Sequence, residues 1–162
     1  MKIDIIAGAR PNFIKIASIT RALESRKQEG GHLSFRLVHT GQHYDERLSG
    51  TFFKQLGVPE PEVNLEVGSG TQAEQTAAIM IRYEKLLLEK RSDFCLVVGD
   101  VNSTMACAIT AQKLCIPVGH VEAGIRSGDC SMPEEINRMV TDAISDYFFT
   151  TSEAANQNLR RS

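Results

Sequence analysis

Residues 119–138 read GHVEAGIRSGDCSMPEEINR, and the fold is decided by how this stretch changes character along its length. With the two residues before it, it begins as Pro117-Val118-Gly119-His120-Val121, the short apolar run of a buried strand. Glu122 follows at the strand's carboxyl end. Ala123-Gly124 turns the chain away, and Ser127-Gly128-Asp129 continues a loop. Ser131-x-x-Glu134 then opens a helix in capping-box spacing, with Pro133 in the first turn, where its missing N–H costs nothing. In an open parallel sheet the carboxyl end of the strands is where ligands bind. One connection therefore carries Glu122, Arg126, Glu134 and Arg138 toward a single rim.

The same strand, loop, helix unit recurs on the amino-terminal side. Residues 3–7 form a β-rich run that ends in Gly8-Ala9-Arg10-Pro11-Asn12, and from Phe13 the apolar positions Phe13, Ile16, Ala17, Thr20 and Leu23 keep helical spacing until Gly30-Gly31. Residues 33–40 read as a second strand, followed by Gly41-Gln42-His43-Tyr44-Asp45 and a helix over 46–56 with Leu48, Phe52, Phe53 and Leu56 inward. Residues 58–65, broken by Pro59 and Pro61, can hold only a short edge strand. Thr71-x-x-Glu74 is a capping box for a helix to about residue 90, with Thr76, Met80, Tyr83 and Leu87 as its inward stripe. The unbroken apolar run Phe94-Cys95-Leu96-Val97-Val98 predicts a strand buried on both faces. It runs into Gly99-Asp100-Val101-Asn102-Ser103 and a small-residue helix over 105–114. Beyond Glu134 the helix continues to Ser145, with Ile136, Met139, Val140 and Ile144 on the buried side. Residues 146–150 form a last strand, and Ser152 caps a final helix. Such alternation predicts an α/β fold: a Rossmann-like parallel sheet with helices on both faces, wound by right-handed crossovers.

At 162 residues the chain can bury a core without staples, and 42% hydrophobic and 23% charged residues are ordinary for a globular domain. A net charge of −2 gives no general attraction to nucleic acid or anionic membrane, so an anionic ligand must be held by a few placed cations. Cys95, Cys107, Cys115 and Cys130 show no CxxC spacing, and three of them sit in apolar strand or helix patterns. Reduced packing residues in a cytoplasmic protein are therefore expected, with no bound metal. No apolar run approaches the roughly 18 residues of a membrane span.

Arg10 lies in the first strand–helix loop and Lys15 one turn into the helix. Elsewhere both would be solvated surface cations; at a strand's carboxyl end they become candidates for binding an anion. Because that loop lacks G-x-G-x-x-G, a dinucleotide site is poorly supported. Asp100 could cap the helix that follows it, yet Asn102 and Ser103 are better placed to do so, which leaves Asp100 free beside the strand that carries Glu122. Glu134 can serve both as a cap and in chemistry. Carboxylates crowded on one rim hold a proton more tightly, so one can act as acid or base while another stays ionised, and nearby cations can hold a phosphate leaving group. That combination suits proton abstraction coupled to loss of a phosphorylated group.

Taken together, Gly8-Ala9-Arg10-Pro11 with Lys15, Thr40-Gly41-Gln42-His43-Tyr44-Asp45, Gly99-Asp100, the run from His120 to Ser127, and Pro133-Glu134-Glu135-Ile136-Asn137-Arg138 resemble, in order, the non-hydrolysing UDP-N-acetylglucosamine 2-epimerases. The resemblance implies that residues 1–162 are the amino-terminal, Rossmann-like catalytic half of a two-domain glycosyltransferase-B-type enzyme, with the carboxyl-terminal nucleotide-binding half absent. It implies interconversion of UDP-N-acetylglucosamine and UDP-N-acetylmannosamine by anti elimination and re-addition of UDP through 2-acetamidoglucal, without a cofactor. It implies a homodimer, with neither nucleic acid nor membrane as partner. Carried over by position, Arg10 and Lys15 contact substrate and phosphate. Asp100, Glu122 and Glu134 form the acid–base set, Arg138 is their electrostatic partner, and Gln42 and His43 border an effector site. Which carboxylate takes the C2 proton is left open. The loop 129–133 is of the family's shorter kind and lacks the longer, aromatic version. Two other readings stand beside this one: an inactive sugar-nucleotide-binding or assembly module, and a glycosyltransferase of the same fold. The full acid–base set favours the epimerase, while the missing half favours inactivity of the isolated chain.

Overall fold

A computed structural model describes residues 1–41 and 50–161. Six strands alternate with six helices among them: β1 (Lys2–Ala7), α1 (Arg10–Gln28), β2 (Ser34–His39), α2 (Gly50–Leu56), β3 (Val63–Asn64), α3 (Gln72–Glu89), β4 (Phe94–Val98), α4 (Asn102–Lys113), β5 (Val118–Val121), α5 (Pro133–Ile144), β6 (Tyr147–Phe149) and α6 (Glu153–Arg161). The sheet runs in the order β3-β2-β1-β4-β5-β6, and every recorded pairing is parallel. Strand order reverses between β1 and β4, which opens a crevice at their carboxyl ends.

Alternation along the strands sends side chains to two cores. Ile6, Val38, Cys95 and Val97 pack with Ile79, Tyr83 and Leu87 of α3 and Cys107 of α4, while Ile5, Leu37, Leu96 and Val98 pack on the other face with Phe13 and Ile16 of α1 and Phe53 of α2. Helices thus cover both faces, as the alternating pattern predicts. β4 is buried from Cys95 to Val98, and β3, only two residues long, holds one edge.

Several local expectations are corrected. α1 begins at Arg10 and not after the loop, because Asn12 Oδ1 accepts the Ala9 N–H and starts the helix early. The buried stripe of α3 is Gln75, Ile79, Tyr83 and Leu87, so Thr76 and Met80 lie off it. The Thr71 capping box is present, with Glu74 N donating to Thr71 Oγ1 and Thr71 N to Glu74 Oε2. The Ser131–Glu134 box is not formed. α5 starts at Pro133 without a side-chain cap, and the Ser131 hydroxyl donates instead to Asp129 Oδ1 at 2.6 Å, closing a local turn. Nor do Asn102 and Ser103 cap α4. The Asn102 amide donates to Gln72 and Gln75, and Ser103 Oγ lies 2.7 Å from Thr40 Oγ1. Ser152 does cap α6, accepting from Ala155 N. Of the cysteines, Cys95 and Cys107 are buried, whereas Cys115 and Cys130 are exposed, and all four are free thiols. Among the described residues no helix is long and apolar enough to cross a membrane.

The largest correction concerns α5. Its buried residues are Glu135, Asn137, Thr141 and Asp142, while Ile136 and Met139 are 42% and 45% exposed. The helix therefore stands with its polar face inward, against the prediction for Ile136 and Met139, while Val140 is half-buried and Ile144 packs against the core as predicted.

Candidate active site

The carboxyl ends of β1, β4 and β5 bring three connections together. In the first, Asn12 is buried and its amide donates to Val98 O at 2.9 Å, which ties the start of α1 to the end of β4. One turn further on, Lys15 Nζ reaches Glu122 Oε2 at 2.6 Å. Gly99, with φ of +75°, lies between these groups. A Cβ placed there would be 3.4 Å from Asn12 Nδ2, 3.5 Å from Glu122 Oε2 and 3.7 Å from Lys15 Nζ. These are ordinary contacts, and it is the left-handed backbone that calls for glycine.

Glu122 itself has φ of +71°, unusual for a side chain of its size. The strained residue is held by β6, because Phe149 O accepts both Glu122 N (2.9 Å) and Ala123 N (3.3 Å). Two residues on, Gly124 is packed so closely under α6 that a Cβ would fall 2.4 Å from Ala155 O, and Asn158 Nδ2 donates to Gly124 O. Backbone strain that surrounding contacts over-determine is a common mark of functional sites.

The polar face of α5 organises the rest. Arg138 donates through Nη2 to Asp100 Oδ2 and through Nη1 to Glu135 Oε2, the latter at 2.8 Å. Asp100 is therefore paired with Arg138, the cation expected to balance the carboxylates. Glu135, 1% exposed, also accepts Ser127 N at 2.9 Å and Gly128 N at 3.1 Å. Burial pushes its carboxyl up, but the bonds from Ser127, Arg138 and Gly128 outweigh that and bring it down to about 2. Burial also works against the Arg138 guanidinium, and its two carboxylate partners overcome it, leaving its affinity for the proton raised.

Beneath this layer His120 is fully buried, with Nδ1 2.6 Å from Asp142 Oδ1 and Nε2 2.8 Å from Gly99 O. Asp142 Oδ2 accepts Gly124 N at 3.0 Å and Arg126 Nη1 at 2.6 Å. Burial raises the Asp142 carboxyl, yet His120 and Arg126 hold it below the ordinary range. Arg126, expected on the rim, thus turns inward onto Asp142.

Of the predicted site residues, Lys15 and Glu122 form one ion pair and Asp100 and Arg138 another. Arg10 lies exposed on the first turn of α1. Glu134, half-buried, lines a cleft with Gly70, Gln72, Val101, Asn102 and Asn137. Gln42 and His43 lie outside the described residues. The sequence reading passed over Asn12, His120, Glu135 and Asp142. The last of these carried a signal: Glu135, Arg138 and Asp142 are spaced i, i+3, i+7, one face of a helix.

Comparison with known proteins agrees with this arrangement. The UDP-N-acetylglucosamine 2-epimerase family profile matches residues 25–162. A UDP-N-acetylglucosamine 2-epimerase of Methanocaldococcus jannaschii is 48% identical over 161 residues, covering 99% of this chain and 43% of that protein. The UDP-2,3-diacetamido-2,3-dideoxy-D-glucuronate 2-epimerase of Pseudomonas aeruginosa is 43% identical, covering 99% and 44%. The crystal structure of the Methanocaldococcus enzyme with UDP-GlcNAc and UDP superposes with a TM-score of 0.92, at 48% identity, over 99% of this chain and 43% of that one. The present chain spans less than half the length of these relatives. Since the match runs through the loops of Asp100 and Glu122 and the whole of α5, the chain belongs to the UDP-N-acetylglucosamine 2-epimerase family.

Proposed function

We propose that residues 1–162 form the amino-terminal catalytic domain of a two-domain UDP-N-acetylglucosamine 2-epimerase, and that the complete enzyme interconverts UDP-N-acetylglucosamine and UDP-N-acetylmannosamine without a cofactor. One observation carries the reading. Asp100 and Glu122 leave the carboxyl ends of the adjacent strands β4 and β5, and each is matched by a cation, Arg138 and Lys15 respectively. A carboxylate takes the C2 proton as the C1–oxygen bond breaks and UDP departs with its electron pair, leaving the C1=C2 bond of 2-acetamidoglucal. Protonation of C2 on the opposite face and return of UDP to C1 complete the cycle. Asp100, Glu122 and Glu134 supply the acid and base, Arg10 and Lys15 hold the phosphates, and Arg138 balances the carboxylates. Gln42 and His43 border a second sugar-nucleotide site.

The working protein is a cytoplasmic homodimer in this reading. The apolar groove lined by Ala73, Ala77, Met80, Met105, Pro133 and Ile136 supports self-association.

The test is proton exchange. The chain is incubated with UDP-N-acetylglucosamine in deuterated water, alone and with the carboxyl-terminal half of a family member in trans. Deuterium at C2 in either sample, abolished by Glu122→Gln and Asp100→Asn, is the expected result. A folded chain that stays silent in both samples points instead to a binding or assembly module.

A further inference from the structure

We infer that Glu135, beside the carboxylate picked out by sequence, is a positioning residue that latches the loop after Glu122 to α5 and fixes where Arg138 stands beside Asp100. The inference rests on Asp100 belonging to the acid–base set. Its geometry stands independently of that reading. Both Glu135 oxygens are used: Oε2 accepts Ser127 N and Arg138 Nη1, and Oε1 accepts Gly128 N. One buried carboxylate thereby joins the loop between β5 and α5, the helix α5 itself, and through Arg138 the loop that follows β4.

The electrostatic consequence follows from sharing. Arg138 faces two carboxylates, one almost fully buried and one 32% exposed. With Glu135 ionised, the guanidinium is held from two sides, by Oε2 of Glu135 and Oδ2 of Asp100, so the position it takes beside Asp100 depends on Glu135. The charged and titratable groups facing Glu135 are Arg138 on its own helix, Asp129 from the preceding loop, and Asp100 across Arg138. Asp129 is occupied locally by Ser131.

The measurement is a carbon-13 NMR titration of side-chain carboxyls, combined with amide hydrogen exchange, on the chain itself. In the wild-type chain the Glu135 carboxyl should titrate near 2, with the Ser127 and Gly128 amides reporting the same midpoint. A midpoint near 4.5 with unprotected amides overturns the inference without any variant having to fold. In Glu135→Gln, exchange at Ser127 and Gly128 should rise roughly tenfold. Glu135→Gln should also loosen Arg138, whose guanidinium protons, held by two carboxylates in the wild-type chain, should exchange faster, while Asp129→Asn leaves them unchanged. Unaltered guanidinium exchange in Glu135→Gln, or an equal rise in Asp129→Asn, refutes the shared hold on Arg138. If these readouts move as expected while C2 exchange is absent, the functional reading fails and the positioning role stands; the reverse pattern rejects Glu135 and leaves the function intact.

Discussion

Helices α3 and α5 both begin after a sequence that looks like a capping box, yet they are built in opposite senses. α3 is capped by Thr71 and Glu74 and buries Ile79, Tyr83 and Leu87 against the sheet. α5 has no side-chain cap, buries Glu135, Asn137, Thr141 and Asp142, and turns Ile136 and Met139 to solvent. Apolar periodicity reports that a helix exists. It reports the inward face only where the layer beneath is hydrocarbon. Under α5 that layer is the polar floor of a site, made of His120, Gly99 O and the turn at Gly124.

The sharpest way to break the contrast is Asp142→Ala. Removing one carboxylate strands His120, Arg126 and Gly124 N together, and a loss of about 3–5 kcal/mol in urea unfolding is expected. Leu87→Ala, the matching insult to α3, should cost about 2–5 kcal/mol by opening a cavity while sparing the polar floor. A much smaller loss in Asp142→Ala than in Leu87→Ala would mean that the polar face is incidental to stability.

Acid separates the two helices next. The Glu135 carboxyl is depressed in the folded chain, so its contribution is complete above its ordinary value of 4.5 and is lost as pH falls toward 2. Wild type should therefore lose stability over that window relative to Glu135→Gln, with the two unfolding curves converging at the acid end. Parallel curves would refute the assignment.

Caps give a smaller and more local contrast. Thr71→Ala should cost about 1 kcal/mol, as expected for a working cap, while Ser131→Ala should stay within about 0.5 kcal/mol. Equal penalties would place Ser131 on the helix after all. Least of all, Ile136→Ser with Met139→Ser should leave unfolding of the monomer within roughly 0.5 kcal/mol, and its effect should be visible instead as weaker self-association in sedimentation velocity.

The strands were the legible part. The apolar run at residues 94–98, the turns at Gly8 and Gly99 and the alternation of elements lead to a parallel sheet without reference to any relative, because buried parallel strands leave a pattern that few other structures produce. Site residues at strand ends were legible for the same reason: topology alone places Lys15, Asp100 and Glu122 near one another. What sequence could not supply was the exact pairing. Arg138 is expected to balance the carboxylates as a set, and only the fold shows it divided between Asp100, 38 residues away on a different element, and Glu135. Ser131 looked like a cap because spacing cannot tell a helix start from the Asp129 turn that wins locally. Glu135 was passed over beside Glu134 because a carboxylate on a helix is normally a solvated one. Its burial depends on three donors that come from a loop and from the next turn.

The contact between Gly124 and α6 bears on how the site comes into being during synthesis. Glu122 leaves the ribosome long before Ala155 and Asn158, which fix the turn beside it. A nascent chain halted near residue 145 already holds β1, β4, β5 and all its candidate carboxylates, but lacks both β6, which grips the Glu122 backbone, and the helix that seats Gly124. The backbone at Glu122 is therefore set in its final geometry only after β6 has paired and α6 has docked on Gly124.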